Sequence, residues 1–209
     1  MTDAKRTATA TERRITDAAI RLFAERGNVE LTVSELATEA GVARGTLYRN
    51  VESIEQLFER VVEDAAVELH ARVARVLDGS AGGDAAARLA TGLRLLVRLA
   101  HDDPALGRFI VRFGLTEEML RAVLSGPPME DVKAGIAAGR YDVTESMALS
   151  VASFISGTAL SAMWMVLEGH QAWRDAGTST AELVLRALGI APDEARTLAS
   201  TDLPALPAG

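Results

Sequence analysis

The chain has no cysteine and few aromatic or histidine residues, and these absences narrow its possible functions. Of 209 residues, none is Cys, three are His, and only 4% are aromatic. Without thiols the chain has no disulfide, thiolate metal site or Cys nucleophile, which is typical of a reducing cytosol. None of the histidines (His70, His101, His170) has an HxxxH, HxH or HExxH neighbour. We therefore expect a cytoplasmic protein without a metal or cofactor.

Sequence motifs of enzymes are missing as well. There is no GxSxG and no Gly-rich phosphate loop following a strand pattern. The acid pairs Asp102-Asp103 and Glu117-Glu118 occupy adjacent positions, which point to different sides of a helix. The polar N-terminus, MTDAKRTATATERR, lacks the apolar region of a signal peptide. We expect no catalytic activity.

The net charge of −7 is unusual for a nucleic-acid-binding protein, but the charge is unevenly distributed. Residues 1–60 hold nine basic and ten acidic side chains, whereas residues 42–51 hold two arginines and no acid. Phosphate affinity depends on charges within a Debye length of about 10 Å rather than on the total. The charge therefore does not exclude DNA binding at this segment.

Residues 32–51 have the pattern of two short helices joined by a glycine turn. Thr32 and Glu35 have the spacing of a capping box. The apolar residues that follow recur at helical spacing, and Gly41 stands where a left-handed residue ends a helix. The second helix places polar side chains on its outer face, around the apolar Leu47. This pattern is typical of a helix-turn-helix motif that binds DNA.

The same region resembles the TetR family of bacterial transcriptional regulators. The resemblance rests on the helix Ile15 to Phe23 with Gly27, on the segment Leu31 to Ala37, on Ala40-Gly41-Val42, and on Gly45 to Asn50. It covers about residues 10–65. It implies a one-component regulator, usually a repressor, that works as a homodimer. One departure is that the family usually has a phosphate-binding Lys after the Ser that opens the fourth helix, where this chain has Ile54 and Glu55.

The remainder of the chain shows helical apolar periodicity and no strand alternation. We therefore predict an all-α fold of roughly nine or ten helices, with an N-terminal three-helix domain and a C-terminal helical domain. The predicted DNA-binding domain spans residues 9–70 and the predicted effector-binding and dimerisation domain spans residues 71–200. Residues 1–8 and 201–209 are expected to be disordered. The Gly-rich stretch 78–83 is the clearest break between helices.

Residues 146–167 contain no charged side chain. Their length suffices to span a bilayer. However, they are diluted by serines and flanked by Glu145 and Glu168 rather than by basic residues, so a buried helix is favoured and no membrane is expected. The resemblance implies that two long helices, about 144–170 and 178–190, pack against their copies in a dimer.

The sequence suggests two groups of binding residues. By the motif and the resemblance, the DNA-binding group is Thr32, Arg44, Gly45, Thr46, Tyr48, Arg49, Asn50 and Ser53, while Lys5 and Arg6 are more simply a solvated arm than minor-groove contacts. A cavity for an effector would be lined by bulky or polar residues of the second half, namely His101, Arg108, Phe109, Phe113, Met119, Met147, Phe154 and Trp164, with Met163 beside them. For each of the apolar members taken singly, ordinary core is the favoured interpretation.

Two functions follow from these observations. The first is a sequence-specific transcriptional regulator that reads a near-palindromic operator and is released by a small apolar or amphipathic effector. The alternative is a helical ligand-binding or protein-interaction dimer with little DNA affinity, suggested by the missing Lys after Ser53 and the acidic balance. Neither the operator nor the effector follows from the sequence.

Overall fold

The computed structural model of the chain describes residues 10–80 and 83–204. These residues form eleven α-helices and one short 3-10 helix, and no strand occurs among them. The α-helices are α1 (Ala10–Arg26), α2 (Val33–Ala40), α3 (Arg44–Asn50), α4 (Ile54–Ser80), α5 (Ala85–Asp102), α6 (Pro104–Phe113), α7 (Glu117–Leu124), α8 (Pro127–Ala137), α9 (Ala148–Leu167), α10 (Trp173–Ala187) and α11 (Pro192–Ser200). The predicted all-α class is confirmed.

The described helices outnumber the nine or ten predicted, and α11 is the one for which the sequence signal was weakest. Its buried residues are only Ala195 and Ala199, which are too small to produce a clear apolar stripe. Residues 201–204, predicted to be disordered, have no regular secondary structure, but the carbonyl of Thr201 accepts a hydrogen bond of 2.6 Å from Arg94 Nη1. The predictions for residues 1–8 and for 205–209 lie outside the described residues.

The chain divides into two compact units, residues 1–62 and 63–209. In the first unit, α1, α2, α3 and the first turns of α4 surround a small apolar core. Ile15, Phe23, Leu36, Leu47 and Leu57 are each at most 2% exposed. The rings of Phe23 and Phe58 meet edge to face at 5.2 Å. This core holds α2 and α3 in place.

The turn between α2 and α3 forms as the sequence predicts. The Thr32 hydroxyl accepts a hydrogen bond of 3.2 Å from the Glu35 backbone N–H, and the Glu35 carboxylate accepts one of 2.8 Å from the Thr32 N–H. The capping box is therefore complete. Gly41 ends α2 with a φ of +61°, a conformation that glycine adopts at little cost.

In the second unit, α5 packs against both α9 and α10. Leu93, Ala159, Ala181, Val184 and Leu185 meet in the main core of this unit. The side chain of Asp84 caps α5 by accepting hydrogen bonds from two backbone N–H groups. The predicted restart of a helix at Asp84 is thereby confirmed, but α4 continues to Ser80, three residues into the stretch 78–83 predicted as the break.

The uncharged segment, residues 146–167, contains the whole of α9, and α9 is buried on one side only. Its buried positions include Val151, Ala152, Ala159 and Met163. The opposite side is exposed; we call it the open α9 face, and it consists of Leu149, Ser150, Ser153, Phe154, Gly157, Ser161 and Trp164. By length and composition, Glu145–Leu167 is the one candidate membrane span among the described residues, with 28% of its most apolar window buried. The open α9 face therefore needs an apolar partner.

Candidate functional site

The outer surface of α3 presents polar side chains around one buried anchor. Leu47 is 1% exposed and fastens the helix to the core of the first unit. Arg44 and Arg49 lie on the exposed side, and Tyr48 is 67% exposed. Helix α3 therefore presents one aromatic and two cationic side chains to solvent.

The side chains of Arg49 and Asn50 donate hydrogen bonds within α3 itself. Arg49 Nη2 donates a hydrogen bond of 3.3 Å to Thr46 Oγ1. Asn50 Nδ2 donates one of 2.7 Å to the Thr46 backbone carbonyl. Thr46 is half-buried and therefore lies at the edge of the exposed surface. These bonds are short-range contacts within one helix, which a DNA phosphate could replace without disturbing the core.

The acidic side chains of α2 are paired with arginines of α1. Arg21 Nε lies 2.7 Å from Glu39 Oε1, and Arg26 contacts the Glu35 carboxylate. Hydrogen bonds from Thr32, supported by Arg26, lower the pKa of Glu35 to about 2. Because α1 compensates the negative charge of α2, that charge offsets the two arginines of α3 less than the residue counts suggest.

Gly45 lies in the first turn of α3, and none of the described residues packs against the place that a side chain would occupy there. A Cβ atom added at this position would have no atom within 4 Å. Glycine in a helix costs about 0.5–1 kcal/mol relative to alanine. Packing among the described residues therefore does not require a glycine at this position.

The start of α4 adds a polar pocket beside α3 that sequence reasoning only partly anticipated. Ser53 caps α4 by accepting a hydrogen bond of 3.1 Å from the Gln56 N–H. The pocket, of about 190 Å³, is lined by Tyr48, Asn50, Ser53, Gln56 and Arg60, among others. Sequence reasoning missed Gln56 and Arg60. Their spacing from Ser53, three and seven residues along one helix face, was the signal that could have identified them.

The second unit contains a cavity of about 180 Å³. A dry cavity of about 150 Å³ lined by apolar side chains is large enough to bind benzene. Leu69 and Val73 of α4, Leu96 of α5, and Ile155 and Met163 of α9 contribute to its apolar walls. A small, mainly apolar molecule therefore fits this space.

An ion pair and three neutral polar side chains also line the cavity. Arg88 Nε and Nη2 donate to the two carboxylate oxygens of Asp131 at 3.0 and 3.3 Å, and Arg88 Nη1 donates to Asp78 Oδ1 at 3.1 Å. Burial opposes the charge of Arg88, but these hydrogen bonds outweigh it and raise the pKa of the guanidinium. The neutral polar residues of the lining are His70, Tyr141 and Ser156.

The cavity differs from the one predicted. Of the predicted residues, only Met119 and the neighbouring Met163 line it. Phe109 and Phe113 lie in the core with ring centroids 5.1 Å apart, and Arg108 is exposed beside them. Apolar periodicity identifies the buried stripe of α6 but not the element against which that stripe packs.

The remaining predicted pocket residues also lie elsewhere. His101 is exposed and stacks on Trp173 with ring centroids 6.0 Å apart. Phe154 and Trp164 belong to the open α9 face, and Met147 just before α9 is 46% exposed. None of these four residues is among those that line the cavity. The sequence showed that Phe154 and Trp164 are bulky and lie on an uncharged helix, but not which side of that helix faces the cavity.

Two protein families match the chain, one in each compact unit. Residues 15–61 match the family described as bacterial regulatory proteins, tetR family. Residues 84–201 match the family described as tetracyclin repressor-like, C-terminal domain, which covers more than half of the chain. The chain belongs to the TetR family. The resemblance drawn from the sequence is therefore confirmed, and the first match contains α2 and α3 while the second contains α5 to α11.

Several TetR-family relatives and structures are similar to the chain. An uncharacterized HTH-type transcriptional regulator from Mycobacterium tuberculosis is 35% identical over 107 residues, 49% of this chain and 50% of the relative. The chain thus spans about half the length of the curated relatives it matches first. RolR in complex with resorcinol is similar in structure, with a TM-score of 0.70, 28% identity, and coverage of 94% of this chain and 96% of RolR.

A second similar structure is only 22% identical to the chain, so it supports the fold and nothing beyond it. It is FadR from Bacillus subtilis in complex with stearoyl-CoA, with a TM-score of 0.68 and 22% identity, covering 83% of this chain and 97% of FadR. These two similar structures hold ligands as different as resorcinol and stearoyl-CoA. The ligand class of this chain has to be argued from its own cavity.

Proposed function

We propose that the chain is a sequence-specific DNA-binding transcriptional regulator, a repressor that a small apolar or amphipathic effector releases. The observation that carries this proposal is the exposed surface of α3. It presents Arg44, Tyr48 and Arg49, contains no acidic residue, and is held from behind by the buried Leu47. Family membership supports the same reading.

Within this proposal, α3 enters the major groove of the operator. Arg44, in the first turn of α3, reads a base edge, where a bidentate contact to guanine discriminates by about 1–3 kcal/mol. Tyr48, Arg49 and Asn50 hold backbone phosphates, and the opening of Gly45 lets the helix backbone approach the DNA. The N-terminal ends of α2 and α4, at Thr32 and Ser53, face further phosphates. This assigns residues 9–70 to DNA binding.

Two copies of the chain would read the two halves of a near-palindromic site, with half-site centres about 34–36 Å apart or a multiple of that distance. The open α9 face supports a homodimer, because it carries no charge while Phe154 and Trp164 remain more than 40% exposed. Small residues at four-residue steps (Ser153, Gly157, Ser161) permit close helix approach. Leu183 of α10, 61% exposed, extends the same kind of surface. A partner helix then covers the segment that is long enough for a bilayer, as suits a cytoplasmic protein.

The effector would bind in the cavity of the second unit, within the proposed domain 71–200. Helix α4 supports a link to DNA binding, because the same continuous helix carries Ser53 at its start and lines the cavity with Leu69 and Val73. A ligand that prefers the DNA-incompetent arrangement by about 1–3 kcal/mol would change operator affinity about 5–150-fold. RolR, which binds resorcinol in its solved structure, supports a small ligand.

One observation favours the alternative of a ligand-binding dimer with little DNA affinity. The position that the family usually fills with Lys holds Ile54, which is buried, followed by the exposed Glu55. Gln56 and Arg60 offer replacement donors one and two turns further along α4. An electrophoretic mobility shift of DNA from upstream of the protein's own gene, at about 50 mM salt, separates the two functions. A shifted band that Arg44→Ala weakens supports the regulator, and no shift with any such fragment refutes it.

A further inference from the structure

We infer that the cavity of the second unit selects an electrically neutral ligand, an apolar or aromatic body with hydroxyl or carbonyl groups, and rejects carboxylates, phosphates and amines of the same size. The inference rests on the proposed function only in taking this cavity as the effector site. It narrows the effector from any apolar or amphipathic molecule to one charge class.

The charged side chains of Arg88 and Asp131 in the cavity lining are already paired with each other. Among the described lining residues, the side chains with a full charge are Arg88 and Asp131, with His70 as a further titratable base. The guanidinium of Arg88 donates from all three of its nitrogens, two to Asp131 and one to Asp78. An incoming carboxylate or phosphate would therefore have to compete with two carboxylates that are part of the protein.

A charged ligand would find no adequate partner for its charge in this cavity. The cluster of Arg88, Asp131 and Asp78 carries one positive and two negative charges, so its net field repels an anion. A buried charge without a partner is strongly unfavourable. A cation fares little better, because Asp131 is already held by a bidentate pair and Asp78, with 73% of its side chain exposed, is screened by solvent. Both charge types thus lose their hydration without an adequate replacement.

The neutral polar side chains of the lining can form hydrogen bonds with a neutral ligand. Burial lowers the pKa of His70, so at neutral pH its imidazole offers one N–H donor and one acceptor nitrogen. Burial also raises the pKa of Tyr141, with Asp84 adding to the effect, so its hydroxyl stays protonated. Ser156 provides a hydroxyl that donates or accepts. These groups match the hydroxyl or carbonyl of a neutral molecule.

The test uses three naphthalene probes of similar size whose substituent is neutral, anionic or cationic at pH 7. These are 2-naphthalenemethanol, 2-naphthoate and 2-naphthylmethylamine, titrated into the full chain by calorimetry at pH 7. We expect the alcohol to bind, naphthoate to bind about 500-fold more weakly because only its neutral acid binds, and the amine to bind at least 100-fold more weakly. A carboxylic acid with a pKa near 4.3 is about one part in 500 neutral at pH 7. The apparent affinity for naphthoate should therefore rise about tenfold between pH 7 and pH 6, while that for the alcohol stays within twofold.

A substitution tests whether the ion pair is responsible. Asp131→Asn leaves Arg88 with the exposed carboxylate of Asp78 alone, so naphthoate should bind at least tenfold more tightly while the alcohol changes less than threefold. Asp193→Asn is the matched control, since Asp193 is paired with Arg196 at 2.9 Å but its side chain is 99% exposed. This control should leave all three affinities unchanged.

Two filling variants test the location. A Cβ at Gly92 would lie 3.9 Å from Val73 Cγ1, so Gly92→Leu extends a side chain into the cavity, and Ala74→Leu fills it from α4. Either variant that keeps wild-type helicity should abolish binding of the alcohol. The inference is overturned if naphthoate or the amine binds wild type within threefold of the alcohol, if no probe binds, or if the alcohol binds both filled variants. Mobility shifts with operator DNA test the proposed function separately, so a DNA-binding chain that prefers naphthoate refutes this inference alone.

Discussion

Replacing Gly45 with alanine should stabilise the folded chain and at the same time weaken its binding to DNA. Both effects follow from one observation, that a Cβ at this position meets no atom of the chain within 4 Å. Within the free protein the new methyl group is harmless and reduces the conformational freedom of the unfolded chain. In the proposed complex the new methyl group points toward the major groove, where the backbone of α3 comes close to the DNA.

The two magnitudes are comparable but opposite in consequence. Gly→Ala in a helix stabilises by about 0.5–1 kcal/mol. For a protein of this size that raises Tm by about 1–4 °C. A methyl group forced into a close contact costs about 1–3 kcal/mol. At the protein–DNA interface the same cost weakens Kd by about 5–150-fold.

The assay is a pair of measurements on the same preparation. Thermal unfolding is followed by circular dichroism, and operator affinity by fluorescence anisotropy of a labelled duplex. Gly177→Ala in α10 is the matched control, because its Cβ would make only ordinary contacts, the nearest at 3.5 Å from Arg94, and Gly177 belongs to the other compact unit. This control should not lower Tm and should leave Kd for DNA unchanged.

The reasoning is refuted if Gly45→Ala raises Tm and leaves the affinity for operator unchanged. That result would mean that DNA does not approach the backbone of α3 at Gly45. A fall in Tm would instead contradict the open space around this position. Only the combination of higher stability and weaker binding separates a functional glycine from a structural one.

Three further predictions address the other proposed surfaces. Arg44→Ala should reduce the ratio of affinities for operator and scrambled DNA by about 1–3 kcal/mol, whereas Tyr48→Phe should weaken both duplexes alike; anisotropy titrations that show the reverse would exchange the two roles. Gly157→Arg, which puts a charge on the open α9 face, should convert a dimer to a monomer in light scattering, and an unchanged mass would place the interface elsewhere. Since the pKa of Glu35 is lowered from 4.5 to about 2, its contribution to stability is present above pH 4.5 and is lost as the pH falls toward 2. The urea midpoint of wild type should therefore fall more across this window than that of Glu35→Gln, and parallel curves would contradict the capping role.

The comparison of the sequence with the structure separates local features from distant ones. The α2 capping box joins Thr32 to Glu35 across three residues, and Gly41 ends the helix through bonds to the preceding turn. The Asp84 cap and the Asp103 cap before Pro104 are equally local. Such signals are complete within one helical turn, so the positions of these helix ends could be predicted from the chain alone.

The cavity could not be predicted in this way. Arg88 and Asp131, 43 residues apart in the chain, are paired only because α5 and α8 pack together. Phe109 and Phe113 were expected at the cavity and are core instead, while Leu69 and Val73 of α4 line it. Helical periodicity tells which side of a helix is apolar, but it does not tell whether that side meets a neighbouring helix, a cavity or another chain.

The sequence by itself thus determined the helical class, the two short helices of the DNA-reading motif and the family, because each depends on residues within a few positions of one another. Tertiary structure decided which residues enclose the cavity, that Arg88 and Asp131 of its lining are paired with each other, and that α9 leaves an uncharged side uncovered. These properties depend on how helices far apart in the chain pack, and the free energy of that packing is set by all of their contacts together. The motif locates the proposed DNA contact, and the packing of the second unit determines what could control it.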